Sequence, residues 1–268
     1  FMGWGTKAKT FLSPANPKKP AYEAKEQIAS VSKTMHLYMV LFKRSTEGST
    51  TLGALTSALN KAAEKYSRII ILGDSRTVYL KRTLQSMSFF STGTNADRLT
   101  FIGKTGQGLK WLKEDGYARL LKEVKKTEGQ QVLPIAVIFN LGVNDQTNLN
   151  SYITYMKSIA PELTGLNCRL FFMSINPLNG AQGAAYAKSK GVTKSARNEN
   201  SVRVFNSTMR SSLNGIYSYL DVYSWLMETG YSTDAGMNGH DSGEDDGGHY
   251  AVNTYKRILN RCLWLLVH

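Results

Sequence analysis

The residues that could do covalent chemistry begin at Ser75, which follows Gly73 and Asp74 directly after a short apolar run. That run, 69–72, contains three consecutive isoleucines, which predicts a strand buried on both faces of a parallel sheet. The spacing of apolar residues over 77–87 predicts a helix, so Ser75 would lie at a helix start, where free N–H groups favour negative charge. This setting suits a nucleophile. It equally suits an ordinary strand-to-helix turn, because Asp and Ser are common N-cap residues.

Asp246 and His249 lie three residues apart, immediately before the last predicted helix. This spacing lets both side chains point the same way. An Asp that orients an imidazole and a His that takes a proton from Ser75 would complete a nucleophile, base and orienter set, a catalytic triad. The alternative is a capped helix start with a chance histidine, and His240 with Asp241 is a competing pair.

Two further segments follow predicted strands. Asn144, in the sequence Gly-Val-Asn-Asp, could donate an N–H into the same crevice as Ser75, although turn chemistry explains these residue types equally well. The segment 103–108 contains three glycines, so its backbone N–H groups can approach a ligand closely. A phosphate-binding loop is excluded there, because Arg98 stands where the pattern requires glycine. The glycine order also excludes a dinucleotide-binding fingerprint.

No cofactor and no metal site are predicted. A site formed by Asp241, Asp245 and His249 fits neither a calcium loop nor a zinc signature. The two cysteines, Cys168 and Cys262, are too few for a disulfide framework and lie in apolar segments. Buried thiols are therefore expected, with their pairing left open.

The chain of 268 residues carries a formal net charge of +13, which should attract anions such as acidic glycans, cell-wall polymers, lipid head groups or nucleic acid. Dispersed solubilising lysines are the simpler explanation, because the sequence has no dense basic block and no nucleic-acid-binding motif. An anionic polymer therefore stays a candidate partner, and nucleic acid is not expected. No run of about twenty apolar residues exists that could form a transmembrane helix.

From residue 51 onward, strand and helix patterns alternate, which predicts a mostly parallel sheet with helices on both faces. The ligand site of such a sheet lies at the carboxyl ends of its strands, where every motif above falls. The predicted strands are 69–72, 99–102, 135–141, 170–175 and 220–223. The predicted helices are 52–66, 77–87, 109–124, 149–163, 202–213 and 250–267, and the third could be continuous or broken near Gly116.

We divide the chain into an N-terminal extension of unclear structure, residues 1–50, and a catalytic domain, residues 51–268. Within the extension, the apolar run 37–42 could be an edge strand, a packed helix or a linker. Segments 178–200 and 230–248 are long connections, which are usually functional or disordered. The basic residues of the first could line an anionic substrate groove, although a solvated lid is favoured. They are Lys188, Lys190, Lys194 and Arg197.

Together and in this order, the motifs resemble the SGNH (GDSL-type) hydrolase family, over a range from about Arg68 to the C-terminus. The resemblance implies a three-layer α/β/α, flavodoxin-like domain with a mostly parallel five-stranded sheet. It also implies ester hydrolysis through an acyl-serine intermediate. Ser75 is then similar to the nucleophile and His249 to the general base, with Asp246 as its orienting carboxylate. Gly106, Asn144 and the backbone N–H of Ser75 resemble the oxyanion-hole donors.

The residue after the nucleophile departs from the family pattern. It is often aliphatic or small, whereas here it is Arg76. Arg76 could bind an anionic group of the substrate or pair with Asp74, so both are candidate substrate contacts. The α/β-hydrolase elbow is not matched, because Thr77 stands where its final glycine belongs.

The leading hypothesis is a serine esterase that removes small acyl groups, in particular acetyl, from a carbohydrate or cell-wall glycan. Its substrate would be a small acyl ester or an acylated glycan. The alternatives are an O-acyltransferase of the same fold and a catalytically silent glycan-binding module, and a phosphodiester enzyme rests on charge alone. The basic charge, the Tyr- and Asn-rich composition and a start at Phe1 favour secretion or cell-surface attachment, with a cytoplasmic location left open.

Overall fold

The computed structural model describes residues 3–5, 22–23, 38–40, 50–91, 95–126, 129, 132–191, 198–234 and 245–268. The chain forms two compact units, one of Phe1–Gly48 with Glu228–Gly230 and one of Ser49–Met227 with Tyr231–His268. In the smaller unit, β1 (Gly3–Gly5) pairs antiparallel with β2 (Tyr22–Glu23) on one side and with β3 (Tyr38–Val40) on the other. The segment 37–42 therefore contains an edge strand of this small sheet. The functional division at residue 50 stays a prediction.

The larger unit is built on five parallel strands in the order β5-β4-β6-β7-β8. Their bounds are β4 Arg68–Gly73, β5 Leu99–Gly103, β6 Ile135–Asn140, β7 Cys168–Met173 and β8 Ser218–Leu220. Gly73 lies in register with Gly103 on one side and with Asn140 on the other. The loops that follow β4, β5 and β6 therefore leave the sheet at the same edge. The sheet is wholly parallel rather than mostly parallel.

Alternation of side chains along the strands divides the core into two layers. Ile69 and Ile71 pack into one cluster with helices on their side, whereas Ile70 and Leu72 pack into the other. The first layer uses α1 (Leu52–Ala63), α2 (Ser75–Ser86), α8 (Val222–Thr229) and α9 (Val252–Val267). The second uses α3 (Leu109–Trp111), α4 (Tyr117–Lys125), α5 (Leu149–Gly165) and α7 (Glu199–Ser212). The predicted three-layer α/β/α architecture is thereby confirmed.

Three local predictions need correction, and one open alternative is resolved. The fourth strand lies at Cys168–Met173 rather than at 170–175. The segment 178–200 contains a helix, α6 (Gly180–Ser189), which has no apolar periodicity in the sequence because Ala187 is its one buried residue. The fifth strand ends at Leu220 rather than Tyr223, because the Ser174 hydroxyl accepts the N–H groups of residues 222 and 223 and starts α8. The helix near Gly116 is continuous through a π-helical turn, Leu112–Gly116, rather than broken.

Cys168 and Cys262 are free and buried, as expected from their apolar surroundings. They lie in the two different core layers, on opposite faces of the sheet. Burial raises the pKa of each thiol to about 12, so both are protonated at neutral pH.

Among the described residues, no helix combines the length and the apolar character needed to span a bilayer.

Gly73 allows the end of β4 to lie close to the backbone of β6 and to Thr77 of α2. A Cβ at this position would lie 2.2 Å from the Asn140 carbonyl oxygen and 2.2 Å from Thr77 Oγ1. Since the first of these is backbone of the neighbouring strand, relief requires the two strands to separate. We therefore expect Gly73→Ala to lower the free energy of unfolding by about 1–3 kcal/mol, measured by urea denaturation.

Gly165→Ala is the matched control for this substitution. A Cβ at Gly165 meets nothing within 4 Å, and the residue ends α5. Alanine there should leave stability unchanged or raise it by less than about 1 kcal/mol. Equal effects of the two substitutions would contradict the packing argument.

Candidate active site

The turn between β4 and α2 presents Ser75 as the first residue of its helix. Asp74 is the N-cap, and its Oδ1 accepts the backbone N–H of Arg76 at 2.9 Å. The Asn140 amide donates to Thr77 Oγ1 at 3.0 Å and so ties the turn to the neighbouring strand β6. The Ser75 hydroxyl is thereby held at the carboxyl edge of the sheet, beside the N-terminal end of a helix.

A hydrogen-bonded chain of three side chains begins at this hydroxyl. Ser75 Oγ lies 2.8 Å from His249 Nε2, and His249 Nδ1 lies 2.9 Å from Asp246 Oδ2. Ser75 and His249 are 174 residues apart in the chain, and only 6% and 8% of their surfaces are exposed. The Tyr79 ring packs against the imidazole in a T-shaped arrangement, with ring centroids 4.6 Å apart. The structure thus brings together the three residues predicted as a triad.

The carboxylate of Asp246 is the charged end of this series of hydrogen-bonded side chains. Burial by itself would raise its pKa. The hydrogen bond and charge of His249, together with the N–H groups of Gly248 and His249, outweigh burial and lower the pKa below its usual range. A charged carboxylate only accepts hydrogen bonds, so Nδ1 carries the imidazole proton. Nε2 is then an acceptor that faces the hydroxyl of Ser75.

The loop carrying Asp246 and His249 is fixed by close backbone packing against the start of α6. Gly247 has φ +68°, and a Cβ there would lie 2.3 Å from the Asn179 carbonyl oxygen and 2.6 Å from the Gly183 nitrogen. Asn179 donates its N–H to the Gly247 carbonyl at 2.8 Å. The Asp245 carboxylate accepts from Thr233 Oγ1 at 2.7 Å and from the Gly247 N–H at 2.8 Å. Position 247 therefore requires glycine, because a side chain there would collide with this backbone.

Gly106 and Asn144 lie on the loops that follow β5 and β6, the two neighbours of β4. Asn144 Nδ2 donates to the Gln107 carbonyl at 2.7 Å and so links these two loops. Gly106 has φ +69° and open space where a side chain would project. Both residues therefore lie at the edge of the sheet that carries Ser75. Their role as oxyanion donors stays a prediction.

Asp145 is a positioning residue to which the sequence analysis assigned no role. Its Oδ2 accepts the Leu109 N–H at 2.7 Å and its Oδ1 accepts the Tyr152 hydroxyl at 2.7 Å. A Cβ at Gly108 would lie 2.3 Å from the same carboxylate. Two features of the sequence could have indicated this role: a carboxylate next to Asn144 and a glycine directly before a helix start. Asp145 holds the Asn144 loop against the loop that carries Gly106.

The candidate substrate contacts Asp74 and Arg76 are both buried, and a contact of either with a substrate stays a prediction. Their exposed fractions are 1% and 3%, and the Asp74 carboxylate serves as a helix cap. Arg76 Nε donates to the Gly248 carbonyl at 3.0 Å, and Nη1 donates to the Asn176 carbonyl at 2.9 Å. Both side chains point into the protein, because each satisfies backbone groups that the turn and the histidine loop would otherwise leave unpaired.

The remaining sequence candidates are only partly described. Lys188 and Lys190 are exposed on and just after α6, whereas Lys194 and Arg197 lie outside the described residues. His240 and Asp241 lie outside them as well. In the part of the chain that is described, no three His, Cys, Asp or Glu side chains are grouped as metal ligands.

The chain is similar to known proteins in its structure and not in its sequence. No family model and no curated protein matches the sequence. A solved structure from Slackia heliotrinireducens, described as a candidate SGNH hydrolase, superposes with a TM-score of 0.50 at 12% identity. The match covers 74% of this chain and 96% of that one. The chain has the SGNH-hydrolase fold.

A lipolytic G-D-S-L family member from Veillonella parvula also superposes on the chain. Its TM-score is 0.43 at 16% identity, with coverage of 74% of this chain and 97% of that one. In the SGNH fold observed here, the loops after β4, β5 and β6 and the segment before α9 carry the candidate site residues.

The lowered pKa of Asp246 predicts an acid-sensitive contribution to stability. As the pH falls below the ordinary aspartate value of about 3.9, the unfolded chain binds a proton before the folded chain does. The free energy of unfolding therefore falls with pH until the folded carboxylate is also protonated. Asp246→Asn lacks this proton-binding step, so the stability advantage of the wild type over the variant should narrow between about pH 4.5 and pH 2.

Urea unfolding of both proteins across this pH range measures the difference. If the difference in free energy of unfolding between the wild type and Asp246→Asn stays constant or widens in acid, the folded state does not hold the Asp246 carboxylate in its charged form.

Proposed function

We propose that this protein is a serine esterase of the SGNH type that hydrolyses small acyl esters through an acyl-Ser75 intermediate. The observation that carries the proposal is the continuous hydrogen-bonded chain from Ser75 Oγ through His249 to Asp246, with links of 2.8 and 2.9 Å. These distances suit proton transfer from a nucleophile to a base that a third group orients.

The first half of the reaction acylates the enzyme. Ser75 Oγ attacks the ester carbonyl carbon while His249 Nε2 accepts the hydroxyl proton. The carbonyl π electrons move to oxygen, and the resulting oxyanion is stabilised by the N–H of Ser75, the N–H of Gly106 and the Asn144 amide. When the carbonyl re-forms, the bond to the leaving alkoxide breaks, and His249 gives that oxygen its proton. Asp246 stabilises the imidazolium present between the two transfers.

The second half returns the free enzyme. A water molecule gives a proton to His249 as its oxygen attacks the acyl carbon, and the oxyanion forms in the same place. Collapse breaks the bond to Ser75 Oγ, which takes the proton back from His249. The products are a carboxylic acid and an alcohol. A sugar hydroxyl in the place of water would give acyl transfer, so the two reactions share every protein group.

For the substrate, we propose O-acetyl groups on a carbohydrate or cell-wall glycan. The net charge of +13 supports an anionic polymer as carrier, since a basic surface concentrates such substrates by long-range attraction. Acetate release from an acetylated acidic polysaccharide should exceed release from an acetylated neutral one, and this excess should shrink as salt is raised. Faster cleavage of long-chain acyl esters than of acetyl esters would reject the acetyl assignment.

Ser75→Ala tests the nucleophile. Removing the hydroxyl should lower kcat for p-nitrophenyl acetate by about 10³-fold or more and abolish labelling by a fluorophosphonate. Ser158→Ala is the matched control, because Ser158 is exposed on α5 and its hydroxyl donates to the Tyr155 carbonyl of the same helix. Undiminished turnover by Ser75→Ala would refute the mechanism. A wild type that neither turns over esters nor binds the label would instead favour a silent binding module.

Asn144→Ala tests the oxyanion contribution. Loss of one donor to the transition-state oxygen should lower kcat by about 10²–10³-fold and change KM little. Asn148→Ala, an exposed residue of the same loop without a side-chain capping bond, should leave both constants unchanged. A rise in KM alone would assign Asn144 to ground-state binding instead.

A further inference from the structure

Arg76 is a buried cation placed one residue after the proposed nucleophile. Its exposed fraction is 3%, and it is the second residue of α2. Enclosing a guanidinium costs several kcal/mol unless its donors are well satisfied. An apolar residue would fill the same space without that cost. The guanidinium makes two hydrogen bonds to described residues, which offset part of this cost.

These two bonds reach segments that are far apart in the sequence. Nε donates to the Gly248 carbonyl at 3.0 Å, and Gly248 directly precedes His249. Nη1 donates at 2.9 Å to the carbonyl of Asn176, which follows β7. Nη2 is buried and makes no hydrogen bond among the described residues. Arg76 thus links the helix of Ser75 to the loop of His249 and to the end of a strand.

The residue after His249 is held to the same group. The Arg76 guanidinium carbon lies 5.1 Å from the centroid of the Tyr250 ring, within the range of a cation–π contact. The Tyr250 hydroxyl donates to the Pro177 carbonyl at 2.6 Å, next to the second acceptor of Arg76. His249 therefore lies between two residues that Arg76 contacts, one through a hydrogen bond and one through a ring face.

We propose that Arg76 is a positioning residue that holds the His249 imidazole against the Ser75 hydroxyl. This inference rests on the proposed function, because it assigns Arg76 a part in the same acyl transfer. The backbone of Arg76 directly follows Ser75, and its side chain donates to the carbonyl of Gly248, the residue before His249. The two reacting groups are thus joined by a single side chain rather than only through the body of the sheet.

The shape of the guanidinium makes this role specific to arginine. Nε and Nη1 point in different directions in one rigid plane, so both carbonyls are held at once. A lysine ammonium is a single centre on a flexible stem. Lysine at position 76 would keep the positive charge but could not reproduce both bonds.

The test compares Arg76→Lys and Arg76→Gln with the wild type, and uses Arg119→Lys as control. Arg119 is an exposed arginine of α4 that pairs with Asp115, so the same replacement there removes a guanidinium far less enclosed. Three quantities are measured for each protein: kcat and KM for p-nitrophenyl acetate, the rate of fluorophosphonate labelling, and the ¹⁵N signals of the His249 imidazole, assigned with His249→Gln.

Displacement of a base by about 1 Å costs on the order of 10²-fold in rate. Both Arg76 variants should therefore lose about 10²-fold in kcat and in labelling rate, with KM within about twofold of the wild type. The His249 imidazole signals should shift in Arg76→Lys and stay in place in Arg119→Lys. Cooperative thermal unfolding should persist in at least Arg76→Lys.

Three outcomes overturn the proposal: unchanged kcat and labelling in Arg76→Lys, unchanged His249 signals in that variant, or loss of cooperative unfolding in both variants. The last would make Arg76 a requirement of the fold instead. A failure of the proposed esterase function is distinguishable from these outcomes. In that case the wild type would have no esterase activity, while the His249 signals would still shift in Arg76→Lys.

Discussion

The hydrogen bond between Ser75 Oγ and His249 Nε2 is the interaction on which the rest of this structure depends. It joins two residues 174 positions apart at a distance of 2.8 Å, so the sheet must place both at one edge. The nucleophile side is held by the Gly73 turn and the strand register. The base side is held by the packing of Gly247 against α6 and by the two bonds of Arg76. Movement of either side would separate the pair.

The same region collects polar groups that are costly to bury. Asp246 accepts hydrogen bonds from the His249 ring and from two backbone N–H groups, and Asp145 accepts from Leu109 and Tyr152. Such networks rigidify a site when their members are satisfied, because any displacement leaves a buried group unpaired. The polar groups that surround the candidate nucleophile therefore also restrict its geometry.

Agreement between sequence and structure varies with the strength of the local signal. The isoleucine run before Gly73 predicted β4 well, because few other structures bury consecutive β-branched residues. Helix α6 gave no comparable signal, since its alanines and glycines show no apolar periodicity and one residue of it is buried. For Arg76 the sequence left two interpretations open, a contact with an anionic substrate group and a pair with Asp74. Its burial depends on carbonyls of residues 176 and 248, which no local pattern reveals.

The sequence by itself determined the α/β alternation, the position of the strand that ends at Gly73, and the residue types able to form a nucleophile, a base and an orienting carboxylate. These follow from local physics: side-chain branching, periodicity and capping act within a few residues. Only the tertiary structure decided that Ser75, His249 and Asp246 meet, that Asp145 joins two loops, and that Arg76 turns inward. Those outcomes depend on strand order and on backbone packing between distant segments. Such contacts form only when the whole chain has folded, so no local pattern in the sequence indicates them.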